Sequence, residues 1–390
     1  MISFEEAYKI VQDSAVQCGT ENIAFTAASG RVLAGSVMAD INMPPFDKSA
    51  VDGFACKKSD VPGNLVVVET IPAGSVPKQE IFTGQCARIM TGAMIPCGAD
   101  SVVMVEDVED SSENIIRVPE KINSANIAYK AEDIRLGECI LDAGTLLGPQ
   151  HIAVLATVGQ TQPLVYRKPM IVVISTGDEL VEPWEKPAGA MIRNSNAWQI
   201  ISQAQETGAT ASYGGIAADT PESVRLILEN AMEKGDIVIL TGGVSMGDFD
   251  YVPAVLKGLG IEILFKSIAI QPGRPTVFGK KGNQLFFGLP GNPVSAFVQF
   301  ELLVKPLIAK MSGRNFEPVY RRLPLVKTIK RKKALRKSII PVIIKDNIVY
   351  PVEYHGSAHI NAYTAANGML AMETGIFELT EGTEVNVRQL

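Results

Sequence analysis

Three short apolar runs, each ending in a loop with glycine, constrain the fold of this chain more than any other feature. The runs are Met170–Ser175, Asp236–Leu240 and Gln284–Gly288, and helical patterns lie between them. Nearly continuous apolar runs of this length are typical of parallel strands that are buried on both faces. Strands that alternate with helices predict a three-layer α/β domain with a mostly parallel sheet.

Capping residues mark where the intervening helices begin. Thr220 precedes Pro221, and Asn292 precedes Pro293, so each pair reads as an N-cap followed by the first helical residue. A further helix is predicted from about 197 to 208. The helix that starts at Pro293 is expected to continue to about Met311.

The rest of the chain falls into three further parts. Short β-branched runs between Gly/Pro/Asn/Asp turns predict a small all-β unit that is inserted into a mixed helical and β framework. A terminal β domain follows the α/β domain. The predicted bounds are 1–42 and 127–167 for the framework, 43–126 for the inserted unit, 168–316 for the α/β domain and 317–390 for the terminal domain.

Composition excludes several classes of protein. The chain has 390 residues, 46% of them hydrophobic, and a net charge of −6. This balance excludes a disordered, collagen-like or disulfide-scaffold protein and argues against general nucleic-acid binding. The basic stretch 321–337 has no interleaved aromatic residues and reads as a solvated face or a local anion-binding surface. With no signal-peptide pattern and no 18-residue apolar run, the expectation is a soluble, cytoplasmic protein without a membrane span.

The loops after the three strands carry the residues from which a site could be built. In open α/β sheets, ligands bind beyond the carboxyl ends of the strands, and glycines there allow backbone amides to approach a phosphate. Carboxylates beside a phosphate cradle suggest a bridging cation such as Mg²⁺. The acidic set is Asp178, Glu179, Asp219, Asp248 and Asp250.

Known motifs narrow the chemistry further. The chain has no GxxxxGK[ST], and its second loop is not GxGxxG, which argues against P-loop NTPases and nicotinamide dehydrogenases. Gly243–Gly247 does match GxSxG, but the following residues read as more loop rather than as the helix that a hydrolase elbow requires. A phosphate cradle is therefore favoured over a serine nucleophile. Candidate polar residues in the N-terminal half are Asp52, Thr91 and Asp133, each of which also fits an ordinary turn or cap.

Taken together, these segments resemble one family, the MoeA-type molybdopterin molybdenumtransferases, whose eukaryotic relatives are the E domains of gephyrin and of the plant Cnx proteins. The resemblance runs from about residue 3 to the C-terminus. The segments that carry it, in order, are 49–55, 88–106, 132–134, 175–180, 241–251, 272–275 and 288–296.

The resemblance implies an elongated homodimer of four domains with the active site in a cleft between subunits. The implied reaction inserts molybdate into the dithiolene of adenylylated molybdopterin, with Mg²⁺ taking part and AMP released. The implied catalytic residues are Asp52, Thr91, Asp133, Glu179, Asp219 and Asp250, of which Asp219 and Asp250 would hold the metal. The candidate substrate-binding residues are of two kinds. The resemblance implies Pro290, Pro293 and Ser357, and the charge and chemistry of the loops indicate Gly242, Gly243, Ser245, Lys266, Arg274 and Asn292.

Three departures from the family pattern affect individual contacts. Gln271 stands where many members have Lys, Asn194 where Asp is common, and Phe54 where Tyr is more usual. Because molybdate is a dianion, loss of the lysine charge leaves Lys266 or Arg274 as the expected cationic contact.

Two other functions remain open at this stage. One is adenylylation of molybdopterin by a MogA-like activity, since the α/β domain shares that architecture; the extra domains argue against it. The other is a dimeric scaffold that binds partner peptides without catalysis, which would not need all six polar candidates. Expected partners are an upstream MogA-like adenylyltransferase and proteins of molybdoenzyme maturation.

Overall fold

The computed structural model describes residues 1–111, 114–244, 252–354 and 356–390. The chain divides into two compact units. One contains Met1–Asn22, Gly30–Ala34 and Leu164–Leu390, and the other contains Ile23–Ser29 and Gly35–Pro163. The four predicted domain bounds stay a prediction.

A six-stranded sheet forms the centre of the first unit. Its strands are β1 Met170–Thr176, β2 Thr210–Ala217, β3 Ile237–Thr241, β4 Glu262–Phe265, β5 Val277–Lys281 and β6 Gln284–Leu289. They stand in the order β2-β1-β3-β6-β5-β4; the first four are parallel, and β5 and β4 continue the sheet antiparallel. The prediction of a mostly parallel sheet is confirmed. The helices are α1 Asn196–Glu206, α2 Pro221–Met232, α3 Val252–Gly258 and α4 Pro293–Gln299.

Both faces of this sheet are covered, which explains why its strands are apolar at nearly every position. On β1, Ile171 and Val173 belong to one core cluster, whereas Val172 and Ile174 belong to the other. Alternate residues of a strand point to opposite faces, so a strand with two buried faces needs no polar positions. The N-terminal helix Phe4–Asp13 contributes to the first cluster.

The helices α2 and α4 begin where their predicted N-cap residues stand, but only one of the two side chains makes a capping bond. The Thr220 side chain accepts a hydrogen bond from the amide of Ser223, as an N-cap should. Asn292 occupies the N-cap position of α4, but its side chain makes no capping bond. Beyond α4 the helix widens into a π-helical turn, Phe300–Val304, before the helix Lys305–Met311. Pro306 has no amide to donate to the preceding turn, which accounts for the widening.

An ion pair joins the starts of the neighbouring strands β1 and β3. Arg167 donates two hydrogen bonds to the carboxylate of Asp236, at 2.8 and 2.9 Å, and the amide of Met170 donates a third, at 2.7 Å. We expect Asp236→Ala to lower the free energy of unfolding by about 2 kcal/mol, because three donors to a charged acceptor lose their partner. Chemical denaturation followed by tryptophan emission measures this, since both tryptophans lie in the same unit. A loss no larger than that of exposed Glu206→Ala would contradict it.

The second unit is built on another six-stranded sheet. The four β-branched runs that predict strands in this unit, 65–68, 87–90, 101–105 and 115–118, each overlap a strand. Gly53–Cys56 is a further strand, which the sequence analysis did not identify. Gly53 is required there, because a Cβ would lie 1.9 Å from the carbonyl oxygen of Val103 on the neighbouring strand. In sheet order the strands are Ser101–Met104, Gly53–Cys56, Gln85–Ile89, Gly63–Ile71, Ile115–Val118 and Asp110–Ser111. The predicted helix is Pro149–Thr157, and the short strand pairs are Lys48–Ser49 with Ile127–Ala128 and Val37–Met38 with Cys139–Leu141.

The C-terminal part of the first unit is a β structure, as predicted. Its sheet contains Ile270–Gln271, Tyr320–Pro324, Lys337–Lys345, Ile348–Pro351, Gly368–Met372 and Glu384–Gln389. The sequence predicts strands at 339–344, 348–354 and 384–387, which are present, but it does not predict Tyr320–Pro324 or Gly368–Met372. Other strand pairs are Thr20–Asn22 with Leu164–Tyr166, Leu180–Val181 with Ile192–Arg193, and Ile329–Lys330 with Glu378–Leu379. Among the described residues, no helix has the length and apolar character that crossing a membrane would require.

Candidate active site

The register of the central sheet brings three strand ends to one level. Ser175 on β1 pairs with Thr241 on β3, and Thr241 pairs with Leu289 on β6. The loops that follow therefore meet at one edge of the sheet, where the amide of Gly242 donates to the carbonyl of Leu289 at 3.1 Å. They enclose a cavity of about 660 Å³. Seven predicted site residues line it: Glu179, Asp219, Gly242, Gly243, Pro290, Asn292 and Pro293.

The loop after β3 depends on its two glycines. Gly242 has φ +91°, and a Cβ there would lie 2.6 Å from the carbonyl oxygen of Thr176. Gly243 has φ +62°, and its Cβ would lie 2.9 Å from Val252. Only glycine combines this left-handed backbone with such close approach. The backbone is thereby held against Thr176 at the edge of the cavity, as a phosphate cradle requires.

Two aspartates form a clamp, a reciprocal pair of hydrogen bonds that joins the loop after β1 to the loop after β2. The amide of Asp178 donates to the carboxylate of Asp219 at 3.3 Å, and the amide of Asp219 donates back to Asp178 at 3.1 Å. Asp219 lies half-buried in the cavity wall just before the cap of α2. The neighbouring Glu179 folds its carboxylate over Gly177, where a Cβ would lie 2.5 Å from it. Two carboxylates thus line the cavity beside the glycine loop.

A chain of hydrogen bonds beneath the cavity explains one departure from the family pattern. The buried Asn194 side chain accepts from the Ser175 hydroxyl at 2.9 Å and donates to the Tyr213 hydroxyl at 3.0 Å. Tyr213 in turn donates to Glu182 at 2.6 Å. An aspartate at 194 could not donate to Tyr213 while Tyr213 donates to Glu182, so the amide completes the chain. Burial, together with the bond to Glu182, raises the pKa of Tyr213.

Ser357 from the C-terminal part reaches the loop after β6. The Asn292 side-chain amide donates to the Ser357 hydroxyl at 2.9 Å, and the amide of Val294 donates to the Ser357 carbonyl at 3.1 Å. Asn292 therefore does not cap α4 with its own side chain, because it is used to bind Ser357. Ser357 thus lies beside the loop after β6, and its part in substrate binding stays a prediction.

Comparisons with known proteins cover almost the whole chain. Family models match residues 2–159 as "MoeA N-terminal region (domain I and II)", 172–310 as "Probable molybdopterin binding domain" and 325–390 as "MoeA C-terminal region (domain IV)". A relative from Staphylococcus epidermidis, named molybdopterin molybdenumtransferase, is 35% identical over 99% of this chain and 95% of its own length. The chain belongs to the MoeA family.

Other members of the family support the same assignment. A Bacillus subtilis relative with the same name is 39% identical over 79% of this chain and 74% of its own. The crystal structure of a molybdopterin biosynthesis MoeA protein from Pyrococcus horikoshii is 31% identical, covers 100% of both chains and has a TM-score of 0.85. A Pyrococcus furiosus molybdenum cofactor biosynthesis protein, 20% identical with a TM-score of 0.64 over 100% of both chains, shares the fold.

The cation in the cavity wall of this MoeA-family chain differs from the two that were expected. Arg193 lines the cavity, and its Nε donates to the carbonyl of Glu185 at 3.0 Å. Lys266 and Arg274 are exposed and are not among the cavity-lining residues that the structure describes, so their role stays a prediction. Gln271 accepts from Arg336 at 3.2 Å. Sequence reasoning missed Arg193, although it directly precedes Asn194, one of the three departures from the family pattern.

Three predicted residues lie outside the described residues. They are Ser245, Asp248 and Asp250, and their parts in phosphate and metal binding stay predictions. Within 1–111, 114–244, 252–354 and 356–390, no group of three or more His, Cys, Asp and Glu side chains could hold a metal ion. Any metal in this cavity would therefore need ligands from the substrate, from water or from residues beyond those ranges.

In the second unit, Asp52 and Thr91 form a pair. The Asp52 carboxylate accepts from the amide of Thr91 at 2.6 Å and from its hydroxyl at 2.7 Å. Both bonds lower the pKa of Asp52, and the bond from the backbone amide has the larger effect. The carboxylate is therefore ionised at neutral pH. Asp133 is exposed, and its backbone amide donates to the carbonyl of Met43. Two of the three predicted residues are thus joined directly.

Proposed function

We propose that this chain inserts molybdenum into molybdopterin during synthesis of the molybdenum cofactor. The observation that supports this most strongly is the cavity at the carboxyl edge of the sheet. It combines a glycine cradle with two carboxylates inside the region matched as a probable molybdopterin-binding domain. Relatives that are 33–39% identical are named molybdopterin molybdenumtransferases. A phosphate at Gly242 and Gly243 would leave the dithiolene end of the ligand free to receive the metal.

We further propose that the substrate is adenylylated and that Mg²⁺ accompanies it. The donor set fits Mg²⁺, which keeps several waters and takes one or two carboxylates together with substrate phosphates. Asp219 would supply a carboxylate, with Glu179 beside it and Asp250 as the further predicted ligand. When bound, the ion would neutralise charge on the phosphates as AMP departs. Asp219 remains oriented meanwhile by the amide of Asp178.

Molybdate itself needs cationic and hydrogen-bonding contacts because it is a dianion. Arg193 offers a guanidinium, which suits a tetrahedral oxyanion. Thr91 would donate its hydroxyl, and Asp52, kept ionised by Thr91, would accept protons released from the dithiolene. Asp133 is the third proposed residue on the molybdate side. Three expectations stay predictions. They are the homodimer, in which the second unit of one chain would contribute to the site of the other chain; the upstream adenylyltransferase; and the cytoplasmic location.

The decisive experiment supplies purified protein with molybdopterin-adenylate, Mg²⁺ and molybdate and follows AMP release together with reconstitution of a cofactor-free molybdoenzyme. We expect AMP release and reconstitution to rise together and to require molybdate. Formation of molybdopterin-adenylate from ATP and molybdopterin would instead support the MogA-like activity. A protein that binds the substrate but releases no AMP would support the scaffold function.

We expect Asp52→Asn to reduce molybdenum transfer by about 50-fold, because it removes a positioned proton acceptor without changing side-chain size. Since the pKa of Asp52 is lowered, wild-type activity that depends on its ionised form should persist below the usual aspartate range and fall only as the pH drops further. The rate ratio of the two proteins at neutral pH measures the first effect, and wild-type rates followed down to about pH 3, below the ordinary aspartate pKa, measure the second.

The exposed Glu80→Gln in the same unit provides the control, because it likewise replaces a carboxylate by an amide but leaves the Asp52–Thr91 pair intact. We expect it to keep the wild-type rate and pH profile. If Asp52→Asn behaved like Glu80→Gln, Asp52 would have no part in the reaction.

A further inference from the structure

The only two tryptophans of the chain lie side by side on the surface. The Trp184 and Trp198 rings are 6.1 Å apart between centroids and meet edge to face at 68°. Trp184 is 71% exposed and Trp198 38% exposed. Large aromatic side chains that are clustered and exposed are typical of binding surfaces rather than of structural packing.

This tryptophan pair is fixed to the hydrogen-bonded chain beneath the cavity. Trp198 stands on α1 and packs on Tyr213 with centroids 5.0 Å apart. The Tyr213 hydroxyl accepts from Asn194 and donates to Glu182. Asn194 in turn accepts from Ser175 at the end of β1. The pair is therefore held in place by the same side chains that support the strand ends, and stacking a ligand on it would require little ordering.

The space over the tryptophan pair continues the cavity of the candidate active site. A second cavity of about 540 Å³ is lined by Pro183, both tryptophans and the segment 193–195. The same three residues, Arg193, Asn194 and Ser195, also line the larger cavity. Arg193 places a positive charge where the two spaces join. A ligand whose phosphate lies in the glycine cradle can therefore extend past Arg193 towards the rings.

We propose that Trp184 and Trp198 bind the planar heteroaromatic ring of the phosphorylated ligand by stacking. The proposal rests on the proposed function, which places the phosphate at Gly242 and Gly243. Stacking on an indole suits any flat nitrogen heterocycle, because it depends on the π-face rather than on particular hydrogen bonds. The substrate class offers two such rings, adenine and pterin, and the stacking chemistry is the same for both.

Tryptophan emission gives a direct readout, since the chain has no other tryptophan. The probes, each with Mg²⁺, are AMP, neopterin monophosphate as a phosphorylated pterin, and ribose 5-phosphate, which has no ring. We expect the ring-bearing ligand that uses this surface to quench the emission and ribose 5-phosphate to leave it unchanged. Quenching by AMP alone assigns adenine, and quenching by the pterin alone assigns the pterin. Equal behaviour of all three ligands would overturn the proposal.

Variants separate stacking from general binding. Calorimetry measures the affinity for the ligand that quenches the emission. We expect Trp184→Ala to lower this affinity about tenfold and Trp184→Phe to keep most of it. Ribose 5-phosphate should bind both variants with the same affinity. Phe377→Ala is the control, because it removes an exposed aromatic side chain that is not part of the tryptophan pair. Unchanged affinity in Trp184→Ala would overturn the stacking proposal even if the wild type transfers molybdenum. Ring-dependent quenching without any transfer would overturn only the proposed function.

Discussion

Gly242→Ala should reduce both the stability of this protein and its molybdenum transfer. The new methyl group would lie 2.6 Å from the carbonyl oxygen of Thr176 and 2.8 Å from its hydroxyl, on a backbone with φ +91°. Strain from the left-handed backbone and overpacking together should lower the free energy of unfolding by about 2–4 kcal/mol. Displacing the loop should reduce the transfer rate about 100-fold, because the phosphate would no longer be held in the reactive position.

Gly282→Ala is the matched control for backbone strain alone. Gly282 has φ +59° in the turn between β5 and β6, and a Cβ there would meet nothing within 4 Å. We expect it to cost about 1 kcal/mol and to keep the wild-type rate. Denaturation curves and steady-state assays of both variants measure the difference. If Gly242→Ala lost no more stability and no more activity than Gly282→Ala, the close approach at Gly242 would have no functional importance.

The parts of the fold that the sequence predicts well are those with a local cause. The strands of the central sheet are apolar at consecutive positions because each face packs against its own core, and such a run has few other structural explanations. Thr220 and Pro221 mark the start of α2 because capping depends only on neighbouring residues. The strand Gly53–Cys56 escaped detection because it is only four residues long and is buried at every position, which leaves no alternation to detect.

The candidate site was predictable in so far as it follows from sheet topology. Parallel strands place their carboxyl ends at one edge, so the loops that contain Gly242 and Pro290 had to meet there. The cation was harder to predict, because charge and chain position do not tell which side chain lines a cavity. Arg193 lines it from a short strand pair outside the main sheet, whereas Lys266 and Arg274 are not among the described lining residues.

Asn194 shows how a departure from a family pattern can be explained only by its neighbours. Its amide is needed because Tyr213 directs its own proton to Glu182, which lies 31 positions away in the chain. Sequence reasoning identified the change at 194 but had no means of connecting it with Tyr213 or Glu182. The two tryptophans likewise form a candidate binding surface only because the fold places their rings side by side.

Asp219→Ala should reduce molybdenum transfer about 1,000-fold and raise the Mg²⁺ concentration needed for half-maximal activity at least tenfold. The change removes a carboxylate from the cavity wall, and charge stabilisation by a bound metal is worth several kcal/mol in a transition state. Titration of Mg²⁺ at saturating molybdopterin-adenylate measures the requirement, and AMP release measures the rate. Excess Mg²⁺ should recover part of the activity, because substrate phosphates still provide ligands.

Asp178→Ala is the control that separates metal binding from loop structure. Asp178 and Asp219 exchange equivalent hydrogen bonds, each accepting from the other's amide, so either substitution removes one bond of the clamp. Only Asp219 is among the described residues that line the cavity. Asp178→Ala should therefore reduce the rate only about threefold, the expected effect of one lost hydrogen bond, without changing the Mg²⁺ requirement. Equal losses in the two variants, or an unchanged Mg²⁺ requirement in Asp219→Ala, would show that Asp219 acts through the clamp alone and that the metal is held elsewhere.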